Sequence, residues 1–154
     1  MANLYLSLGS NLGDRRAMIN AAILLLGEIV GEIKALSSYY QSDPWGYESE
    51  NRFVNVVVLL ATELAPDEVL RRTKAIEREM GRTPRQGETY EDRTIDIDLV
   101  LYDDLILETA ELRLPHALMA ERPFVLEPLT EIAPDVVHPV LHKTIAQIWD
   151  EYKA

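Results

Sequence analysis

The chain has 154 residues, of which 47% are hydrophobic, so we expect one domain over 1–154. None of the residues is cysteine, which excludes a disulfide scaffold and a cysteine-based zinc site. The net charge of −11 argues against non-specific nucleic-acid binding. Because the N-terminus lacks the pattern of a signal peptide and no apolar stretch reaches about 18 residues, we expect a cytoplasmic protein that does not bind membranes.

The first part of the chain alternates predicted strands and helices. Leucines at every second position over 3–8 predict a first strand. Asp14 is the candidate N-cap of a helix that ends near Val30. Further strands are predicted over 33–40 and 53–62, and the nearly continuous Val and Leu run of the second is typical of a central strand.

The next part contains a helix, a long loop and a strand. Pro66 at the first helical position predicts a helix over 66–80. The segment 81–92 has no apolar periodicity, and loops of this length are often functional. A strand over 93–101 is followed by a short return strand at 105–107.

The C-terminal third adds a short helical segment, an apolar stretch over 124–132 and a last amphipathic helix over 144–152. The order β-α-β-β-α-β predicts an α+β fold of the ferredoxin-like type, with an antiparallel sheet and two helices on one face. The C-terminal third is then an addition to that core.

Positive charges are concentrated between positions 71 and 93, immediately before a pair of aspartates. Seven of the fifteen Lys and Arg residues fall in this region, namely Arg71, Arg72, Lys74, Arg78, Arg82, Arg85 and Arg93. In an acidic protein this local arrangement suits a polyphosphate held by arginines on one side and by carboxylate-bound metal on the other.

Two aspartates lie two residues apart on that strand. The alternation of Ile95, Ile97 and Leu99 with Asp96 and Asp98 puts both carboxylates on one face, roughly 6–7 Å apart. This spacing suits hard cations in metal-assisted phosphoryl transfer. The alternative is a solvated outer face, but Asp is depleted in strands and two like charges on one face repel each other.

Four blocks of the sequence match one family together: Ser7 to Asp14, Phe53-Val54-Asn55, Glu77 with Gly81-Arg82 and Arg93 to Asp98, and Leu114-Pro115-His116 with Arg122 to Leu126. In their order and spacing they resemble the 6-hydroxymethyl-7,8-dihydropterin pyrophosphokinases of the folate pathway, and the resemblance covers residue 4 to about residue 135. The family transfers an intact diphosphate from ATP to the hydroxymethyl oxygen of the pterin and releases AMP. The resemblance implies a monomeric enzyme that binds small molecules.

The resemblance also implies roles for individual residues at the nucleotide. Asp96 and Asp98 would bind two Mg²⁺ ions that bridge the triphosphate, and these ions would relieve the repulsion between the carboxylates. ATP is the co-substrate. The remaining nucleotide-binding candidates are Arg82 and Arg93, which also act in catalysis, and Glu77, Arg85, His116 and Arg122. In this chain Ala117 follows the histidine where many members have Tyr, and Tyr90 stands about where many have Trp.

The pterin would lie between two aromatic rings, Phe53 and Phe124, with the Asn55 amide at its polar edge. Ser42, Asp43 and Trp45 would complete recognition of that edge. Each of the nucleotide and pterin candidates also has an ordinary alternative role: the phenylalanines could belong to the core, and the arginines could be solvated surface residues. His138 and His142 match no motif and are expected at the surface.

Two other functional classes remain open. A small-molecule sensor domain with the same fold would consume no ATP with any pterin. A metal-dependent phosphohydrolase would release phosphate or AMP in the absence of pterin.

Overall fold

The computed structural model describes residues 1–43, 51–81 and 94–154. In these ranges the chain forms seven strands, four α-helices and one 3-10 turn, in the following order. The elements are β1 (Ala2–Ser10), α1 (Arg15–Ile29), β2 (Glu32–Leu36), β3 (Tyr40–Ser42), β4 (Phe53–Thr62), α2 (Pro66–Glu79), β5 (Asp96–Tyr102), β6 (Leu107–Glu108), β7 (Arg113–Leu114), the 3-10 turn (Met119–Glu121), α3 (Pro123–Ile132) and α4 (Ile145–Lys153).

The main sheet is antiparallel, with the strand order β2-β4-β1-β5 and with β3 paired to the end of β4. The prediction that 53–62 is a central strand is confirmed, since β4 pairs with β1 on one side and with β2 and β3 on the other. β6 and β7 form a separate hairpin.

Helices cover both faces of the sheet. Leu4, Leu6 and Leu8 of β1 pack against α1 and α2, which form the two-helix layer of the predicted ferredoxin-like core. On the opposite face, Tyr5 and Val57 pack against α3 and α4, which are the predicted C-terminal additions. Because both faces are covered, β4 is apolar along most of its length.

The predicted helix termini are confirmed at two N-caps. The Asp14 carboxylate accepts a hydrogen bond from the Ala17 amide at 3.1 Å, which satisfies one of the free donors of α1. The Thr144 hydroxyl accepts from the Gln147 amide, and the Gln147 side chain accepts from the Thr144 amide, forming a capping box for α4.

The prediction of a single strand over 33–40 is wrong, because β2 ends at Leu36 and β3 begins at Tyr40. Ser37 explains the interruption. Its buried hydroxyl accepts from the Val57 amide at 2.9 Å and donates to the Ser38 carbonyl at 2.8 Å. This side chain therefore takes over contacts that a regular ladder would make with the backbone alone.

Smaller differences occur near the aspartate strand. β5 begins at Asp96, and Arg93 lies outside the described residues. The return strand is β6 over Leu107–Glu108, later than predicted, because a turn closed by the Leu105 amide on the Tyr102 carbonyl precedes it. Among the described residues, no helix combines the length and the apolar character needed to cross a membrane.

Candidate active site

The two aspartates of β5 lie on the sheet face that α3 and α4 cover in part. Ile97 and Leu99 point the other way and are buried against α1 and α2, whereas Asp96 and Asp98 are half-buried. The predicted alternation is therefore confirmed, and both carboxylates share one face.

A cavity of about 390 Å³ opens beside this pair. It is lined by Leu70, Lys74, Glu77, Asp96, Ile97, Asp98, Leu99, Glu111, Leu112, Arg113, His116, Ala117, Leu118 and Arg122. Five residues predicted from the sequence for the nucleotide and its metal are brought together here, namely Glu77, Asp96, Asp98, His116 and Arg122.

Arg122 supplies a buried positive charge next to the aspartates. It is 7% exposed, and its Nη1 lies 3.7 Å from Oδ2 of Asp98. The same guanidinium lies over the ring of Phe124, 5.6 Å from its centroid. A charge held inside the protein acts more strongly on a phosphate than one in open water.

His116 lies in a half-buried position at the cavity wall, and its amide donates to the Val100 carbonyl at 2.9 Å. Burial, together with the charge of Arg122, lowers the pKa of His116 to about 4, against an opposing effect of Asp96. Nδ1 accepts a hydrogen bond from the Leu118 amide at 3.1 Å. The neutral ring therefore carries its proton on Nε2, which is a hydrogen-bond donor.

We expect the His116 ring to remain neutral, with its proton on Nε2, down to about pH 5.5. Nitrogen NMR of the ring measures this directly, and His116→Gln assigns the signals. The pKa of His116 is about 4 in the folded protein and 6.5 in the unfolded chain, so between these two values the unfolded chain binds the proton more readily. The free energy of unfolding should therefore decrease as the pH falls from 6.5 to about 4. Movement of both ring nitrogens toward imidazolium shifts above pH 5.5 would contradict the assignment.

Glu77 reaches the aspartate strand from α2. The residue is 5% exposed, and its Oε2 accepts a hydrogen bond from the Ile97 amide at 2.7 Å. Because β5 is the outer strand of the sheet, every second amide of β5 has no neighbouring strand to bind, and Glu77 provides the acceptor for the Ile97 amide. The carboxylate therefore holds the backbone midway between Asp96 and Asp98.

Glu77→Ala should lower the free energy of unfolding by about 1–3 kcal/mol, because it leaves a buried amide without its acceptor. Denaturant titration measures the loss. Glu79→Ala is the matched control, since it changes the same residue type on the same helix at an exposed position. Equal stability of the two variants would show that the Ile97 contact does not hold the strand.

Strand register brings the predicted pterin residues beside the aspartates. Gly9 of β1 lies opposite Asn55 of β4 and opposite Asp96 of β5. Two strand spacings separate Asn55 from Asp96, so their Cα atoms are about 10 Å apart. A Cβ at Gly9 would lie 3.2 Å from both the Phe53 ring and Oδ1 of Asn55, so glycine leaves room for this ring and this amide.

Asn55 is 3% exposed and is oriented by β3. Its Nδ2 donates to the Tyr40 carbonyl at 3.2 Å and to the Ser42 hydroxyl at 2.8 Å. Oδ1 of Asn55 can therefore accept a hydrogen bond from a ligand, and the Ser42 hydroxyl can donate its own hydrogen.

The structure describes only some of the remaining predicted site residues. Asp43 is exposed and forms an ion pair with Arg52 at 3.2 Å. Phe124 is half-buried at the start of α3, on the same sheet face as Phe53. Further predicted residues, Trp45, Arg82, Arg85, Tyr90 and Arg93, lie outside the described residues.

The sequence interpretation missed two basic cavity residues, Lys74 and Arg113. Lys74 belongs to the cationic cluster that was recognised, but Arg113 stands apart from every motif. The prediction of a surface position for His138 is wrong. This residue is 6% exposed because its Nδ1 accepts from the amides of Val140 and Leu141 and so closes a turn.

The donor set fits Mg²⁺ bound together with a nucleotide. In the described part of the chain, no group of three or more His, Cys, Asp or Glu side chains is arranged to hold a metal ion. Mg²⁺ is commonly bound by one or two carboxylates plus substrate phosphates, not by a cage made of protein alone. The half-buried pair Asp96 and Asp98 provides such carboxylates.

Comparisons with known proteins show which proteins this chain is similar to. The profile of the 7,8-dihydro-6-hydroxymethylpterin-pyrophosphokinase family matches residues 5–134. The chain is 48% identical over 136 residues to a 2-amino-4-hydroxy-6-hydroxymethyldihydropteridine pyrophosphokinase of Porphyromonas gingivalis, covering 87% of this chain and 92% of the relative. It is 39% identical over 150 residues to the folic acid synthesis protein fol1 of Schizosaccharomyces pombe, covering 96% of this chain and 20% of that protein.

A solved structure shows the same fold. Wild-type HPPK-DHPS of Plasmodium falciparum with pteroate matches with a TM-score of 0.79 and 19% identity, over 98% of this chain and 42% of that chain. The family match over most of the chain and the identity to the Porphyromonas gingivalis enzyme are decisive. The chain belongs to the 7,8-dihydro-6-hydroxymethylpterin-pyrophosphokinase family.

Proposed function

We propose that the cavity beside β5 is where this chain carries out the reaction of its family with the help of Mg²⁺. The reaction transfers a diphosphate group from ATP to the hydroxymethyl group of 6-hydroxymethyl-7,8-dihydropterin in folate biosynthesis, and AMP is released. The register of three strands supports the proposal most strongly, because Gly9 lies between Asn55 and Asp96. The acceptor substrate and the diphosphate thus have neighbouring positions on one sheet face.

Asp96 and Asp98 hold the magnesium ions, which we propose are two. When bound, Mg²⁺ supplies positive charge that stabilises the phosphoryl oxygens during transfer. Arg122 adds a buried charge next to Asp98, and the Nε2 hydrogen of His116 donates to the triphosphate. Arg82, Arg85 and Arg93 hold further phosphate oxygens.

The pterin binds between the rings of Phe53 and Phe124. Oδ1 of Asn55 and the hydroxyl of Ser42 recognise its polar edge, helped by Asp43 and Trp45. The hydroxymethyl oxygen then attacks the β-phosphorus, so that a new oxygen–phosphorus bond forms, the bond to the leaving AMP breaks and the hydroxyl proton passes to water. Fixed positions for both substrates reduce the entropic cost of this step.

The proposal is tested by measuring AMP formation while each component is omitted in turn. AMP should form only when ATP, Mg²⁺ and the hydroxymethyl pterin are all present. Release of AMP or phosphate without pterin would favour a phosphohydrolase. Binding of pterin without ATP consumption would favour a sensor domain.

A further inference from the structure

Three hydrogen bonds converge on one carboxylate beside the pterin half of the site. The Glu131 side chain accepts from the Tyr40 hydroxyl at 2.6 Å, the Ser38 amide at 2.9 Å and the Ser38 hydroxyl at 3.0 Å. Glu131 lies on α3, whereas Tyr40 is the first residue of β3 and Ser38 lies just before that strand. One side chain therefore joins two elements that are more than ninety residues apart in sequence.

β3 depends on such support because it has only three residues and pairs with the end of β4. It nevertheless supplies both acceptors for the Asn55 amide, the Tyr40 carbonyl and the Ser42 hydroxyl. A shift of β3 would therefore turn the Asn55 amide and move the Ser42 hydroxyl together.

The second element, α3, carries the stacking ring. Phe124 and Glu131 are seven residues apart on this helix, which is about two turns, so they lie on the same side of it. α3 continues without interruption from Pro123 to Ile132, through Pro128, so both side chains are carried by the same helix. The contacts of Glu131 therefore set the position of the Phe124 ring relative to the polar group at Asn55.

We propose that Glu131 is a positioning residue for the pterin, which fixes the spacing between the Phe124 ring and the recognition group formed by Asn55 and Ser42. The inference rests on the proposed function, since it assumes that the pterin binds between these groups. In this role Glu131 acts through β3 and α3 and not through a contact of its own with a substrate.

The charge state of the pair agrees with a strong contact at neutral pH. The hydrogen bond to Glu131 raises the pKa of Tyr40 to about 12, and the bond from Tyr40 lowers the pKa of Glu131. A hydroxyl that donates to an ionised carboxylate forms one of the stronger hydrogen bonds in proteins.

The inference is tested by calorimetric binding of the pterin and of Mg-ATP to Glu131→Ala. The Kd for the pterin should rise roughly 10-fold, the size of effect expected for loss of charge-assisted bonds. The Kd for Mg-ATP and the kcat with both substrates saturating should stay within about twofold of wild type, because the nucleotide cavity is unchanged. Alanine keeps the exposed helical position well formed.

Glu127→Ala is the matched control. It removes the same charge one turn earlier on α3, at an exposed position whose carboxylate acts on Tyr40 only through its charge, and the described residues show no hydrogen bond between Glu127 and β3. This control should bind the pterin like wild type. Glu131→Gln, which keeps an acceptor, should recover part of the lost affinity.

A double-mutant cycle with Tyr40→Phe identifies the contact itself. The losses from Tyr40→Phe and Glu131→Ala should be clearly less than additive. Additive losses, an unchanged pterin Kd in Glu131→Ala, or an equal loss of pterin and Mg-ATP affinity would overturn the inference. A wild-type chain that binds no pterin would instead overturn the proposed function, and this inference with it.

Discussion

Asp96→Asn and Asp98→Asn are each expected to lower kcat by roughly 10³-fold, the scale of several kcal/mol that metal charge supplies to a phosphoryl transition state. Asparagine keeps the shape of the side chain but removes the charge that attracts a divalent ion. AMP formation under saturating ATP, Mg²⁺ and pterin measures the effect.

The fold should survive both changes. Asp96→Asn removes one of two like charges on the same face, so the melting temperature without ligands should be no lower than that of wild type. Asp104→Asn is the control, since it alters an exposed aspartate just after the same strand and should leave kcat unchanged. Near-normal turnover in either site variant would remove the metal assignment.

Phe124→Ala is expected to weaken pterin binding roughly 10- to 100-fold, because stacking of one heterocyclic base on an aromatic side chain contributes about 1–3 kcal/mol. Mg-ATP binding should change much less, since Phe124 is not among the residues that line the nucleotide cavity. Calorimetric titration with each ligand separates the two effects.

Phe124→Leu serves as the companion variant. It keeps much of the apolar volume and loses the flat face, so it should bind the pterin more weakly than wild type. The chain has only two phenylalanines, and Phe53→Ala should show the same selectivity from the other side of the pterin. Equal losses of pterin and Mg-ATP affinity in Phe124→Ala would argue against a stacking wall.

Much of the fold could be predicted because local patterns and tertiary packing agree. The two-residue alternation over 95–99 predicts which side chains face the core and which face the cavity. The apolar run over 53–62 predicts a central strand, and in the structure this strand is covered on both faces. In both cases the pattern of apolar residues within one short segment is enough to indicate which side chains are buried.

The features that were missed depend on partners that are distant in sequence. Ser37 interrupts a strand because its hydroxyl accepts a hydrogen bond from the amide of Val57, which is 20 residues away in the sequence. The contacts of Glu131 with β3 are of the same kind. No local pattern encodes such pairings, since they arise only after the sheet has placed the segments side by side.

Counting bound divalent ions tests the central claim most directly. Electron paramagnetic resonance of Mn²⁺, used in place of Mg²⁺ with a non-hydrolysable ATP analogue, measures the ions that each chain binds. We predict about two ions for the wild-type chain and a loss of binding in both Asp96→Asn and Asp98→Asn, as expected for ions held by two carboxylates and phosphates. Wild-type stoichiometry and affinity in both variants would contradict the account.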